Sequence, residues 1–208
     1  MRSTAPRRPR FLSLEGLDGS GKTTHIERIV DICRRQNPQG VVVTREPGGT
    51  EVGERIRDIL LKQVSLHAQT ELLLLFAARV QHIKAVIEPA LALGKTVVCD
   101  RYQDATYAYQ GYGRGLEIPL IDALTRLLAI PSPDLTLYFD VPVDVALARR
   151  AGRAADRIEA EGEEFFKRVR DGYRFRAHSE PERFVVIPAA GSLAEVGEAV
   201  DAALAGCW

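Results

Sequence analysis

The sequence predicts an α/β fold, a doubly wound five-stranded parallel sheet, and three observations carry that expectation. Short β-branched runs alternate along the chain with longer segments of helical periodicity. Most of those runs are almost continuously apolar, as strands covered on both faces of a parallel sheet must be. The first run, Phe11-Leu12-Ser13-Leu14, leads into Gly16-Leu17-Asp18-Gly19-Ser20-Gly21-Lys22-Thr23, a complete G-x-x-x-x-G-K-[ST] loop, and a helical pattern at Ile26, Ile29, Val30 and Cys33 leaves it.

Taken in order, strands are expected at 10–14, 41–44, 96–99, 135–139 and 184–187. Helices are expected near 22–36, 51–62, 69–92, 103–110, 117–129, 143–151, 161–177 and 192–204. In 161–177, Phe165, Val169 and Tyr173 recur every four residues beside Phe166 and form one apolar stripe. Right-handed crossovers then wind the helices onto both faces. No repeat, low-complexity linker or shift in composition divides the chain. Residues 10–208 are therefore expected to form a single P-loop domain with a lid near 149–160. Residues 1–9, basic and rich in proline, read as a disordered arm.

Across the 208 residues, 28 Lys and Arg balance 28 Asp and Glu. A neutral total argues against a dedicated nucleic-acid binder, yet leaves room for a local arginine cluster on a small anion. Three cysteines, Cys33, Cys99 and Cys207, are odd in number and lack a C-x-x-C pair; Cys33 and Cys99 fall in apolar patterns and read as buried and reduced, as in a cytoplasmic protein. The apolar stretch at 72–76 is too short to span a membrane, and no signal-type hydrophobic region follows the basic start.

The chemistry concentrates where strands end. Glycines let the loop backbone curl so that its N–H groups point at phosphate oxygens, and the following helix adds the positive end of its dipole. Lys22 reaches the β- and γ-phosphates, and the Thr23 hydroxyl can ligate Mg²⁺. Arg45, opening Arg45-Glu46-Pro47-Gly48-Gly49 after the second strand, is placed to hold a second phosphate bidentately, or stands as an exposed loop arginine. Asp100, after the third strand, orients Mg²⁺ or its waters, or pairs with Arg101 to tie the loop down. Thr106, Tyr107, Tyr109 and Gln110 could read a nucleobase edge, or pack in the core. The stretch 149–157 holds Arg149, Arg150, Arg153 and Arg157; it reads as a mobile lid that closes over ATP, or as a solvated basic helix end.

Ordered motifs then make the chain resemble the thymidylate kinase family of P-loop nucleoside monophosphate kinases. These are Leu14-Glu15 leading into the loop, Thr44-Arg45-Glu46-Pro47-Gly48-Gly49-Thr50, Phe76-Ala77-Ala78-Arg79 and Asp100-Arg101-Tyr102. Ala108-Tyr109-Gln110-Gly111, Pro133-Asp134-Leu135-Thr136-Leu137 and Asp156-Arg157-Ile158-Glu159 follow, so the match spans about 11–196.

The resemblance implies transfer of the γ-phosphoryl group of MgATP to dTMP, for dTTP synthesis. It places Gly16, Gly19, Ser20, Gly21, Lys22, Thr23, Thr24, Arg149 and Arg153 on ATP, and Arg45 and Arg101 on the dTMP phosphate. It sets Asp18 near the deoxyribose 3′-OH, Arg79, Thr106 and Gln110 at the thymine edge, and Tyr109 against the sugar 2′ position. Some members carry a catalytic arginine where this chain has Gly19, so a lid arginine must act instead. Arg153 is the first choice, with Arg149 and Arg157 as rivals, beside Lys22, Arg45 and Asp18. The family stacks a Phe on thymine four residues before the base-contacting arginine. Here that position is Leu75 and Phe76 is one further on; Phe76 is the expected contact. A homodimer pairing through helices on one side of the sheet is also implied.

A kinase for another monophosphate would keep the loop and lid but change the base-reading residues, and a deoxynucleoside kinase would not need Arg45 and Arg101. No N-K-x-D guanine motif and no L-S-G-G-Q segment are present. The acceptor phosphate is already ionised, so alignment and charge do the work without a catalytic histidine; His25, His67, His82 and His178 read as structural or exposed.

Overall fold

The computed structural model describes residues 10–62, 65–152 and 155–206. Five strands, β1 (Phe11–Gly16), β2 (Val41–Arg45), β3 (Thr96–Asp100), β4 (Leu135–Asp140) and β5 (Phe184–Pro188), form one sheet of order β2-β3-β1-β4-β5. Every pairing is parallel, and register sets Leu14 beside Asp100 on one side of β1 and Leu137 on the other. The two residues where β1 and β3 end, Gly16 and Asp100, therefore emerge at the same sheet edge.

Alternation sorts β1 and β3 between the two layers of core. Leu12, Leu14 and Val98 pack with Ile29, Val30 and Cys33 of α1 (Lys22–Gln36), which also meets α9 (Leu193–Ala205). Phe11, Val97 and Cys99 pack with Leu72 and Phe76 of α3 (Ala68–His82). Cys33 and Cys99 are buried free thiols; Cys207 lies outside the described residues. α2 (Glu51–Lys62) lies against α3.

Two helices depart from regular winding. α3 runs through a π-wound segment, Ile83–Ile87, into α4 (Glu88–Ala92). Pro89 has no N–H for the carbonyl four residues earlier and its ring crowds it; the wider turn just before it, where Glu88 N–H bonds Ile83 O, accommodates both. α5 (Gln103–Thr106) likewise opens into a π-wound segment, Tyr107–Gly113. α6 (Ile118–Leu127), α7 (Val143–Arg150) and α8 (Glu163–Ser179) complete the chain. The Phe165–Val169–Tyr173 stripe of α8 is buried as its spacing requires. No helix among the described residues is long and apolar enough to cross a membrane.

Candidate active site

Gly21, with φ of +89°, turns the chain into α1, so the first helical amides face the loop. Gly19 has φ of +87°, and a Cβ there would stand 2.4 Å from the Ala146 carbonyl oxygen. Only glycine can lie this close to α7. Lys22 is buried and folds back over the loop, its Nζ donating to Gly16 O at 2.9 Å and Leu17 O at 3.1 Å. Burial, then the nearby Arg101 charge, bring the Lys22 ammonium down to about 8, with Asp18, Asp100 and Glu15 opposing the shift.

Arg101 closes the loop from the side. Its φ of +63° is rare for a non-glycine residue and turns the side chain back across the sheet end. One Nη donates to Asp18 Oδ1 at 2.7 Å, the other to Gly16 O at 2.8 Å and Tyr173 Oη at 3.2 Å. Burial works against the Asp18 carboxylate, but Arg101 and Lys22 outweigh it and hold the carboxyl well below its usual range. Beneath them Glu15 accepts from Tyr102 N–H and Tyr173 O–H. Burial, reinforced by Asp104, pushes its carboxyl up to about 7 against the pull of Arg101.

A cavity of about 450 Å³ opens over this corner. Asp18, Gly19, Gly21, Lys22, Thr23, Thr24 and Arg101 form one wall. Glu71, Leu75 and Arg79, at helical spacing on α3, form another; Thr106, Tyr109 and Gln110 face the same space. Arg79 is buried, its Nε on Glu46 Oε2 at 2.7 Å and one Nη on Tyr102 O at 3.1 Å, while Nη1 has no partner among the described residues. Thr106 Oγ1 and Tyr109 Oη are also buried without partners. Three residues around the cavity thus each carry a buried, unmet polar atom, the kind a polar ligand edge satisfies. His82 supports Glu46 from behind through Nδ1 at 2.9 Å and meets Thr44 Oγ1 through Nε2 at 2.6 Å. The Glu46–Pro47 bond is cis.

Several expected contacts fall elsewhere. Phe76 is 2% exposed and packs in the core under α3, whereas Leu75 lines the cavity, so the expectation that Phe76 faces the base pocket is corrected: the residue there is Leu75. Arg45 is half-exposed and pairs with Glu54 at 3.0 Å, outside the cavity wall. The guanidinium that lines the cavity there is Arg57 of α2, which donates to Pro47 O at 2.9 Å. Burial, Arg45 and Arg101 lower its affinity for the proton against the opposing pull of Glu54 and Asp156, so the positive charge gathered at this end is only partly balanced. An anion would complete the balance.

Arg149 donates to the carbonyls of Ala189, Ala190 and Gly191 at 2.8–3.2 Å and, at 3.5 Å, to Gly19 O of the phosphate loop, without lining the cavity itself. Arg157 donates through Nε to Leu60 O and through Nη2 to Glu71, and so pins the lid segment to α2 and α3. Asp156, Ile158 and Glu159 beside it roof the cavity. Arg153 lies outside the described residues. Arg150, which the sequence offered only as part of a basic run, lies with Cγ 3.2 Å from where a Gly19 Cβ would stand; its Nε and Nη1 are buried without partners among the described residues.

Sequence reasoning missed Arg57 and Glu71. Each left a signal: a charged residue at the inward spacing of an amphipathic helix, with Gly53 and Leu60 buried around Arg57, and Leu75 and Arg79 following Glu71.

A phosphate loop at the end of a central strand, faced across one roofed cavity by gathered arginines, defines a P-loop phosphotransferase of the nucleoside monophosphate kinase class. Residues 14–200 match a family profile described as thymidylate kinase. The chain is 50% identical over 198 residues to a thymidylate kinase of Pseudomonas fluorescens, covering 93% of this chain and 94% of that protein. It is 49% identical over 201 residues to one from Cupriavidus necator, covering 95% and 98%. A crystal structure of thymidylate kinase from Ehrlichia chaffeensis superposes with a TM-score of 0.75 at 37% identity, covering 94% of this chain and 97% of that one. The chain belongs to the thymidylate kinase family, whose reaction is the ATP-dependent phosphorylation of dTMP to dTDP.

Proposed function

We propose that this chain carries out its family's reaction, transfer of the γ-phosphoryl group of ATP to dTMP, in the cavity between the phosphate loop and α3. The observation that carries the placement is the gathering of Arg57 and Arg101 in one cavity with Lys22 and the loop amides. Two anionic substrates must meet there with their charge neutralised, and preorganised cations are what phosphoryl transfer needs.

Gly16 to Thr24 hold the ATP phosphates, with Lys22 on the β- and γ-groups. Entry of the triphosphate exchanges the Gly16 and Leu17 carbonyls for phosphate oxygens at Nζ. Arg57 and Arg101 hold the acceptor phosphate, and Arg45 adds its charge from behind. Asp18, fixed by Arg101, faces the sugar; Tyr109 stands where a ribose 2′-OH would need room. Arg79 Nη1, Thr106 Oγ1 and Gln110 meet the thymine edge, with Leu75 packed on its face. The family motif gives the lid cation as Arg153; Arg150 adds its charge beside Gly19, while Arg149 holds the loop after β5 and Arg157 anchors the lid. No general base is required, because the attacking phosphate oxygen is already ionised.

Mg²⁺ fits the residues present: Asp100 Oδ1 is buried without a partner among the described residues, and Thr23 lines the cavity. Bound there with ATP, the ion would neutralise phosphate charge. The protein is read as a cytoplasmic homodimer that takes ATP and dTMP and binds neither nucleic acid nor membrane. Val52 and Ile59, seven residues apart on α2, and Leu73 on α3 are exposed apolar groups that suit such a pairing.

The test is a pair of variants in a coupled ADP-release assay. Arg57→Ala raises the KM for dTMP by about tenfold or more and leaves that for ATP nearly unchanged, while Arg45→Ala does less. A larger effect from Arg45 returns the phosphate to that residue. Turnover on dCMP or GMP, or on thymidine, in preference to dTMP overturns the base and acceptor assignments.

A further inference from the structure

Glu71 belongs to no part of the machinery described so far, yet it is 1% exposed, lines the cavity and joins three elements. Oε1 accepts from Gln110 Nε2 at 2.6 Å and from Arg114 Nε at 3.3 Å. Oε2 accepts from Arg157 Nη2 at 2.5 Å and from Arg114 Nη2 at 3.3 Å. Arg114 also pairs with Glu161 of the lid segment. Burial raises the Glu71 carboxyl, but its hydrogen bonds from Gln110 and Arg157 and the charge of Arg114 more than reverse that, so it is a carboxylate.

A carboxylate can only accept. It therefore fixes which way the Gln110 amide points: the NH₂ turns to Glu71 and the carbonyl oxygen turns away from it. An unrestrained glutamine amide could present either end to a base; this one is held to a single hydrogen-bonding character.

We propose that Glu71 is a specificity-determining positioning residue, which locks the Gln110 amide so that its carbonyl accepts from the N3–H of a thymine or uracil ring and rejects cytosine, whose N3 is itself an acceptor. The inference rests on the assignment of Gln110 to the base edge made above. Selection here comes from mismatch as much as from attraction: two acceptors facing each other in a buried site leave both unpaired, which discriminates far more strongly than a missing methylene. The same carboxylate receives Arg157, so the residue that sets the base reader also holds the roof.

Glu71→Gln is the informative change. Its single acceptor oxygen stays with the arginines, whose charged donors repel an amide NH₂. The new NH₂ then faces Gln110 and draws its carbonyl away from the base, so that the Gln110 NH₂ faces the base instead. The ratio of kcat/KM for dTMP to that for dCMP is measured in the intact enzyme, and it falls by about tenfold or more in Glu71→Gln. A loss of dTMP activity with the ratio unchanged makes Glu71 a structural residue and overturns the proposal. Glu71→Asp keeps an acceptor-only group and so retains the parent ratio within about threefold, even where kcat/KM for dTMP drops. It carries the test alone if Glu71→Gln does not fold, and a collapsed ratio in Glu71→Asp overturns the proposal. Gln110→Ala, run alongside, separates the two readings. An unchanged ratio there removes Gln110 from the base edge and the inference with it. A lowered ratio in Gln110→Ala but not in Glu71→Gln overturns the inference alone.

Discussion

At the scale of single residues, Glu15 shows how function strains stability. Its carboxyl titrates near 7 in the fold and near 4.5 in the unfolded chain, because burial disfavours the charge. An acid raised in this way favours the folded state at low pH, and that contribution fades as pH rises from about 4.5 through about 7. Wild-type stability should therefore drop relative to Glu15→Gln between pH 5 and pH 8, by up to about 3 kcal/mol, in denaturant titrations at the two values. Parallel pH profiles would show that Glu15 ionises in the fold as easily as outside it. Other residues were legible in the sequence only to within one step around a helix. Phe76 and Leu75 are neighbours in the chain but point about 100° apart on a helix of 3.6 residues per turn, so the choice between them turned on the angle at which α3 meets the sheet. Arg79 was legible because its motif fixed its place, whereas Arg57 sits in the middle of α2 and Glu71 in the first turn of α3, where a charged residue ordinarily means solvent or a helix-end charge.

Elements were easier to read than their irregularities. Each of the five strands lies within a residue or two of the run that predicted it. Strands β1, β3 and β4 are doubly covered and leave unbroken apolar stretches, and the edge strands β2 and β5, each with an exposed valine, keep the same β-branched run. The π-wound segments at Ile83–Ile87 and Tyr107–Gly113 left no periodicity of their own within longer helical patterns. Nor could the apolar runs reveal that β3 lies between β1 and β2, since order depends on where the crossovers land. Helix α9 begins with a capping box: Ser192 Oγ accepts from Glu195 N–H, and the Glu195 carboxylate accepts from Ser192 N–H. Replacing Ser192 by Ala should cost about 1 kcal/mol of unfolding free energy and leave kcat unchanged, because the helix packs on α1, away from the cavity. A change in kcat would mean that α9 reaches the site through α1.

For the whole molecule, the dimer reading turns on mass. Light scattering at micromolar concentration should give twice the 23.0 kDa of the chain, and Ile59→Glu should return it to one. A single-chain mass for the wild type would leave Val52, Ile59 and Leu73 as ordinary surface residues.

The grip of Arg157 has a further meaning. Leu60 and Leu61 stand in the last turn of α2, where carbonyls have no partner within the helix. Arg157 supplies both donors, its Nε to Leu60 O and its backbone N–H to Leu61 O. The roof of the cavity is thus the C-terminal cap of the helix that carries Arg57. Lifting Arg157 away therefore strips that helix of the two donors that finish its last turn.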